Sequence, residues 1–179
     1  MICFVVGGSK SGKSSYGERE AIRLGNKDDL YYIATMKPYD KEDEERIRAH
    51  IKQREGFGFK TIEQYRDIER IVSNTSNTST ILIDSITSLL TNEMFFEKEM
   101  NDNSSIKIVK GIKKIAQFFD NVVIISDYVF SDSIIYDQYT EQFRRELGNI
   151  NIEIAKISDK VVECIFGNIQ VHKNIEENQ

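Results

Sequence analysis

The segment Gly7-Gly8-Ser9-Lys10-Ser11-Gly12-Lys13-Ser14 constrains this chain more than any other feature. It follows directly on the apolar run Ile2-Cys3-Phe4-Val5-Val6 and matches the pattern G-x-x-x-x-G-K-[S/T]. Glycines let the backbone turn its N–H groups inward around a phosphate. The helix that follows points its positive end at the same anion. Strand, loop and helix are needed in that order, and the residues here supply all three. Gly7, Gly8, Ser9, Lys10, Ser11 and Gly12, continuing into Ser14 and Ser15, are therefore expected to hold nucleotide phosphates. Lys13 is expected to reach the terminal phosphates, and Ser14 to ligate Mg²⁺.

The rest of the chain repeats the alternation. Short apolar runs at residues 2–6, 30–34, 80–83, 122–126 and 161–166 read as buried strands. Helical patterns run from the glycine loop to Leu24 and over 40–54, 67–72, 85–98, 106–119 and 136–156. Residues 73–79 and 101–105 read as loops, and there are no repeats. This alternation predicts an α/β fold, a mostly parallel sheet with helices on both faces. A length of 179 residues suits one domain, expected over 1–173, with a polar tail at 174–179.

Composition narrows the function classes. A net charge of −5 argues against a general nucleic-acid binder. Cys3 and Cys164 both sit in apolar runs, which is buried-thiol usage and not a disulfide or zinc framework. No apolar run nears the ~18 residues of a membrane span, and no basic leader precedes the first one. The expectation is a cytoplasmic protein without a signal peptide.

Asp84 closes the strand at 80–83, where an acidic residue commonly serves as the second metal partner of a phosphate loop. Asp84 also opens the next helix, so capping is the alternative role. Over 40–54, Arg46, His50 and Arg54 recur at i, i+4 and i+8 and line one helix face. One reading is a solvated helix laced with i,i+4 charge pairs. The other is an imidazole between two guanidiniums, kept neutral and nucleophilic by its cationic neighbours. Only two histidines occur, and His172 near the C-terminus has no such surroundings.

Taken in order, these blocks resemble one family. They are Gly-Gly-x-x-Ser-Gly-Lys-Ser, Tyr32-Ile33-Ala34-Thr35, Asp40-x-Glu42, Arg46-Ile47-x-x-His50-x-x-x-Arg54 and Phe59 with Thr61-x-Glu63. Asp84-x-x-Thr87 with Asn92, then Phe143-Arg144 with Gly148 and Asn151, complete them. Over residues 2–167 the chain resembles the bifunctional adenosylcobinamide kinase / adenosylcobinamide-phosphate guanylyltransferases of cobalamin synthesis. The resemblance implies a RecA-like P-loop fold and a homotrimer. It implies phosphorylation of adenosylcobinamide by GTP or ATP, then transfer of GMP from GTP through a covalent histidine intermediate. His50 occupies the matching position, with Lys13 as the second catalytic residue. Thr35, Arg54, Glu63 and Asp84 are the implied nucleotide contacts, and Ser14 with Asp84 the Mg²⁺ ligands.

One stretch departs from the family pattern. The family usually has Asn-Glu-Val-Gly followed by Val-Pro, where this chain has Ser126-Asp127-Tyr128-Val129 and no glycine between Gly111 and Gly148. Asp127 takes the place of the family's acid. Ile152 replaces a glutamine after Asn151. Two alternatives stay open on the residues alone: a P-loop kinase of another small molecule, and a non-catalytic GTP-binding module.

Overall fold

The computed structural model describes residues 1–25, 29–73, 75–96, 103–129 and 134–175. Seven strands form one sheet in the order β3-β2-β4-β5-β1-β6-β7. They are β1 (Ile2–Gly7), β2 (Leu30–Ala34), β3 (Lys60–Glu63), β4 (Thr80–Asp84), β5 (Asn121–Asp127), β6 (Lys160–Ile165) and β7 (Asn168–Asn174). The first six run parallel to one another; β7 runs antiparallel to β6.

Alternation along each strand sends side chains to two cores. Phe4, Ile33, Ile81, Ile83, Val122 and Ile124 face one side. There they meet α3 (Ile86–Met94), α4 (Ser104–Phe118), α5 (Gln138–Ile157) and a 3₁₀ helix (Ile68–Ser73). Cys3, Val5, Tyr32, Leu82, Val123 and Ile125 face the other side, against α1 (Lys13–Leu24). Each fully buried aliphatic side chain contributes roughly 1.5–3 kcal/mol. The approach of α1 is close: a Cβ on Gly17 would lie 2.8 Å from Ile125 Cδ1. Helices thus cover both faces, as the alternation predicts.

Two strands go beyond the expected set. β3 is four residues long with one half-buried position, and β7 is largely exposed. Both are sheet edges, where little apolar burial is required. A signal for β7 is present in the residues: Ile169 and Val171 alternate with polar ones after Gly167, whose φ is +79°. Asn174, expected in the tail, closes β7 opposite Lys160; 176–179 lie outside the described residues. The segment expected as a helix at 67–72 is the 3₁₀ helix. Of the helix expected at 85–98, α3 ends at Met94, and 97–98 lie outside the described residues. Ser104 and Ser105 open α4 instead of belonging to the loop at 101–105, whose first two residues are also outside.

Both cysteines are free and buried, and burial pushes the Cys3 thiol up to about 12. Among the described residues no helix is long and apolar enough to cross a membrane.

Candidate active site

In parallel sheets ligands gather beyond the carboxyl ends of the strands. Here register places Gly7 of β1 beside Asp127 of β5, and Asp84 of β4 beside Ala34 of β2. A cleft of about 730 Å³ opens above these ends, within the size range of small-ligand sites.

The phosphate loop forms one wall. Gly12 has φ +92°, a left-handed conformation that favours glycine, and Tyr16 N–H donates to its carbonyl as α1 begins. Ser9 to Ser15 all line the cleft. Gly7 and Gly8 do not; they shape the loop from behind. A Cβ on Gly7 would lie 2.8 Å from the Cys164 carbonyl oxygen. The Gly8 carbonyl accepts from Ser11 N–H at 3.3 Å and from Lys13 Nζ at 3.1 Å. Lys13 also pairs with Asp127 Oδ1 at 2.6 Å. The Asp127 backbone is pinned twice: its N–H donates to Thr87 Oγ1 at 3.1 Å, and its carbonyl accepts from Asn151 Nδ2 at 3.1 Å. The departing stretch thus places an acid against the loop lysine, although 130–133 lie outside the described residues.

The opposite wall is α2 (Lys41–Gln53), which buries none of its residues. Asp40 caps it by accepting from Asp43 N–H at 2.9 Å, and Glu42, Asp43 and Glu44 complement its positive end. The helix is held at both ends. Before it, Tyr39 OH donates to Asn92 Oδ1 at 3.1 Å. After it, the Arg54 guanidinium lies 3.4 Å from the centre of the Tyr32 ring. Arg46, His50 and Arg54 all line the cleft, so the solvated-helix reading describes only the outer face.

Asp84 is not a helix cap. Ser85 caps α3, and the Asp84 carboxylate accepts from Tyr32 OH at 3.0 Å. Burial pushes the Tyr32 phenol well above its usual range, so it stays a donor. Ser14 and Asp84 both line the cleft. A hydroxyl, a carboxylate, phosphate oxygens and waters are the donor set a hard cation such as Mg²⁺ takes. Among the described residues no group of three or more His, Cys, Asp or Glu is placed to hold a metal.

The remaining expected contacts divide. Glu63 lines the rim and accepts from Tyr65 OH at 2.6 Å. Thr35, expected as a nucleotide contact, does not line the cleft. It is fully buried, and its hydroxyl exchanges two 2.7 Å hydrogen bonds with the Ser85 backbone. Its hydroxyl is spent on joining β2 to the start of α3.

Two buried polar atoms on the cleft residues lack a protein partner: Ser11 Oγ and Arg54 Nη1. An unsatisfied buried donor costs roughly 1–3 kcal/mol, a cost that a water, an ion or a catalytic role commonly explains.

Tyr32, Glu18 and Asn92 were not among the expected contacts. Tyr32 is recognisable in retrospect as a polar tip on a buried strand. Glu18 stands on the buried face of α1, one turn after Ser14. Burial pushes its carboxyl up to about 7, with Arg54 opposing and Asp84 adding to the shift. Because the folded value lies above the unfolded one, Glu18 supports stability at low pH and that support is lost as pH rises toward 7. Glu18→Gln keeps the shape and removes the ionisation. Its stability relative to wild type is expected to grow between pH 4.5 and 7 and level off at about 2–3 kcal/mol. Urea unfolding at about pH 5 and about pH 8 measures this; a pH-independent difference would contradict it.

A sequence profile of the family described as "Cobinamide kinase / cobinamide phosphate guanyltransferase" matches residues 3–171. No curated protein sequence matches significantly. Among solved structures, one titled as an ATPase domain is similar with a TM-score of 0.52 at 14% identity, covering 90% of this chain and 68% of that one. A structure titled "The Structure Of A DnaB-Like Replicative Helicase And Its Interactions With Primase" gives 0.54 at 11% identity, covering 95% of this chain and 53% of that one. At these identities the likeness shows the fold alone, a RecA-like P-loop arrangement.

Proposed function

The chain belongs to the cobinamide kinase / cobinamide phosphate guanyltransferase family, P-loop transferases of cobalamin synthesis, and from that membership we propose that it carries out both reactions on adenosylcobinamide. The observation that supports this most is spatial. Lys13 and Ser14 of the phosphate loop share one cleft with His50 and Arg54 of α2.

In the first reaction the acceptor hydroxyl oxygen attacks the γ-phosphorus of GTP or ATP. The β–γ bridge breaks and the nucleoside diphosphate leaves. Lys13 turns from Asp127 to the phosphates, and the released Asp127 carboxylate takes the hydroxyl proton. In the second reaction a ring nitrogen of His50 attacks the α-phosphorus of GTP. A P–N bond forms, the α–β bridge breaks, and pyrophosphate leaves into the cationic phosphate loop. The phosphate of the acceptor then displaces the imidazole, giving adenosylcobinamide-GDP and free His50. Arg54, with its unpartnered Nη1, is the side-chain contact for phosphate oxygens. Ser14 and Asp84 would hold Mg²⁺, which would supply charge neutralisation on the phosphates. The same reading includes a cytoplasmic homotrimer built from one P-loop domain over 1–173.

The test is incubation of the protein and Mg²⁺ with GTP labelled at the α-phosphate. Protein-bound label that is acid-labile and alkali-stable is expected. No label in the wild type overturns the covalent mechanism and leaves the simple kinase or the binding module.

A further inference from the structure

We propose that Tyr32 is a positioning residue that couples the carboxyl end of β4 to the C-terminal end of α2, its hydroxyl setting the Asp84 carboxylate and its ring setting the Arg54 guanidinium. Tyr32 sits on β2, between the strand that ends at Asp84 and the segment that follows α2. It is 5% exposed, and Phe59 closes on it edge-to-face at 6.3 Å and 79°. The ring therefore has a single fixed placement, and both functional groups take their geometry from it.

On the Asp84 side, Tyr32 OH occupies Oδ2 at 3.0 Å. The other oxygen is left for a cation or its bound water. Partners one step behind a ligating carboxylate orient it, and their loss commonly costs about 10–100-fold in metal affinity. On the Arg54 side, the guanidinium lies 3.4 Å from the ring centre, over the face of the ring. Arg54 is 7% exposed, it makes no ion pair among the described residues, and Nη1 has no partner. The stack thus holds a desolvated cation ready for an anion. One side chain thus links the carboxyl end of β4 to the residue that caps the helix carrying His50.

The inference rests on the reading of the cleft as a nucleotide-triphosphate and Mg²⁺ site. It does not rest on the covalent step. The experiment titrates a fluorescent GTP analogue onto the full chain at Mg²⁺ concentrations from zero to saturating. Tyr32→Phe keeps the ring and removes the hydroxyl. It is expected to raise the Mg²⁺ concentration for half-maximal tightening about 10–100-fold. Its Mg²⁺-free affinity should stay within about twofold of wild type. Tyr32→Leu removes both functions, and its Mg²⁺-free affinity should fall about tenfold as well. Arg54→Lys keeps the charge without the planar stack, and should weaken Mg²⁺-free binding while leaving the Mg²⁺ midpoint in place.

A wild-type Mg²⁺ midpoint in Tyr32→Phe overturns the Asp84 half. Mg²⁺-free binding in Tyr32→Leu equal to that in Tyr32→Phe overturns the Arg54 half. Should Tyr32→Leu fail to fold, Arg54→Lys decides that half instead, with wild-type Mg²⁺-free binding overturning it. A shifted midpoint in Tyr32→Phe together with no covalent label in the wild type sinks the histidine mechanism and spares this inference.

Discussion

Replacing His50 with alanine is expected to abolish all acid-labile label acquired from α-labelled GTP, whereas His172→Ala keeps it. The chain has only two histidines, so the pair of variants covers every imidazole. His50 is half-buried on the cleft side of α2. His172 stands on β7, half exposed, with its ring 2.8 Å from Glu163 Oε2 and away from the cleft lining. The loss in His50→Ala is chemical and not structural. α2 buries none of its residues, and surface substitutions of this kind change stability by about 0.5 kcal/mol or less. Melting curves should therefore superimpose while labelling disappears. Label that persists in His50→Ala places the nucleophile elsewhere and overturns the assignment.

Lys13→Ala is expected to lower γ-phosphoryl transfer at least about a hundredfold, the scale seen when one donor to transition-state charge is removed. The structure adds a second cost. Lys13 neutralises Asp127 at 2.6 Å, so its removal leaves a carboxylate facing the incoming phosphates. Nucleotide affinity should fall with the rate. Adding Asp127→Asn to Lys13→Ala removes that repulsion. Affinity should partly return, while transfer stays low because the cation is still missing and the Asp127 base is now gone as well. Equilibrium binding and a γ-transfer assay separate the two effects. Wild-type transfer in Lys13→Ala would remove Lys13 from its role. A double variant that binds no better than Lys13→Ala would remove the counter-ion role of Asp127.

The central strands were legible because each is buried on both faces and reads as an unbroken apolar run. The edges were not. β3 carries one half-buried position over four residues, and β7 alternates weakly on an exposed surface. The histidine helix was readable as a helix, with its Asp40 cap and acidic first turn. Which face met the cleft was not, since no buried position marks a side. Thr35 followed the recognisable Tyr-Ile-Ala-Thr block but turned inward to Ser85, and Tyr32 of the same block holds the contacts with Asp84 and Arg54. Asp84 and Ser85 compete for the capping role in sequence, and only their geometry shows that Ser85 takes it.

The amino-acid order by itself determined what is local: the glycine loop, the strand before it, the helix after it and the capped helix bearing His50. These depend on backbone conformation and on neighbours within a few residues. The tertiary structure decided what is distant. Lys13 meets Asp127 because β1 and β5 pair in a register that sets Gly7 beside Asp127. Tyr32 meets Asp84 because β2 and β4 pair in a register that sets Ala34 beside Asp84. A slip of one residue in either pairing would turn these side chains to the opposite face. That register is held by burial of the alternating cores on both faces of the sheet, a property of the assembled layers and of no single segment.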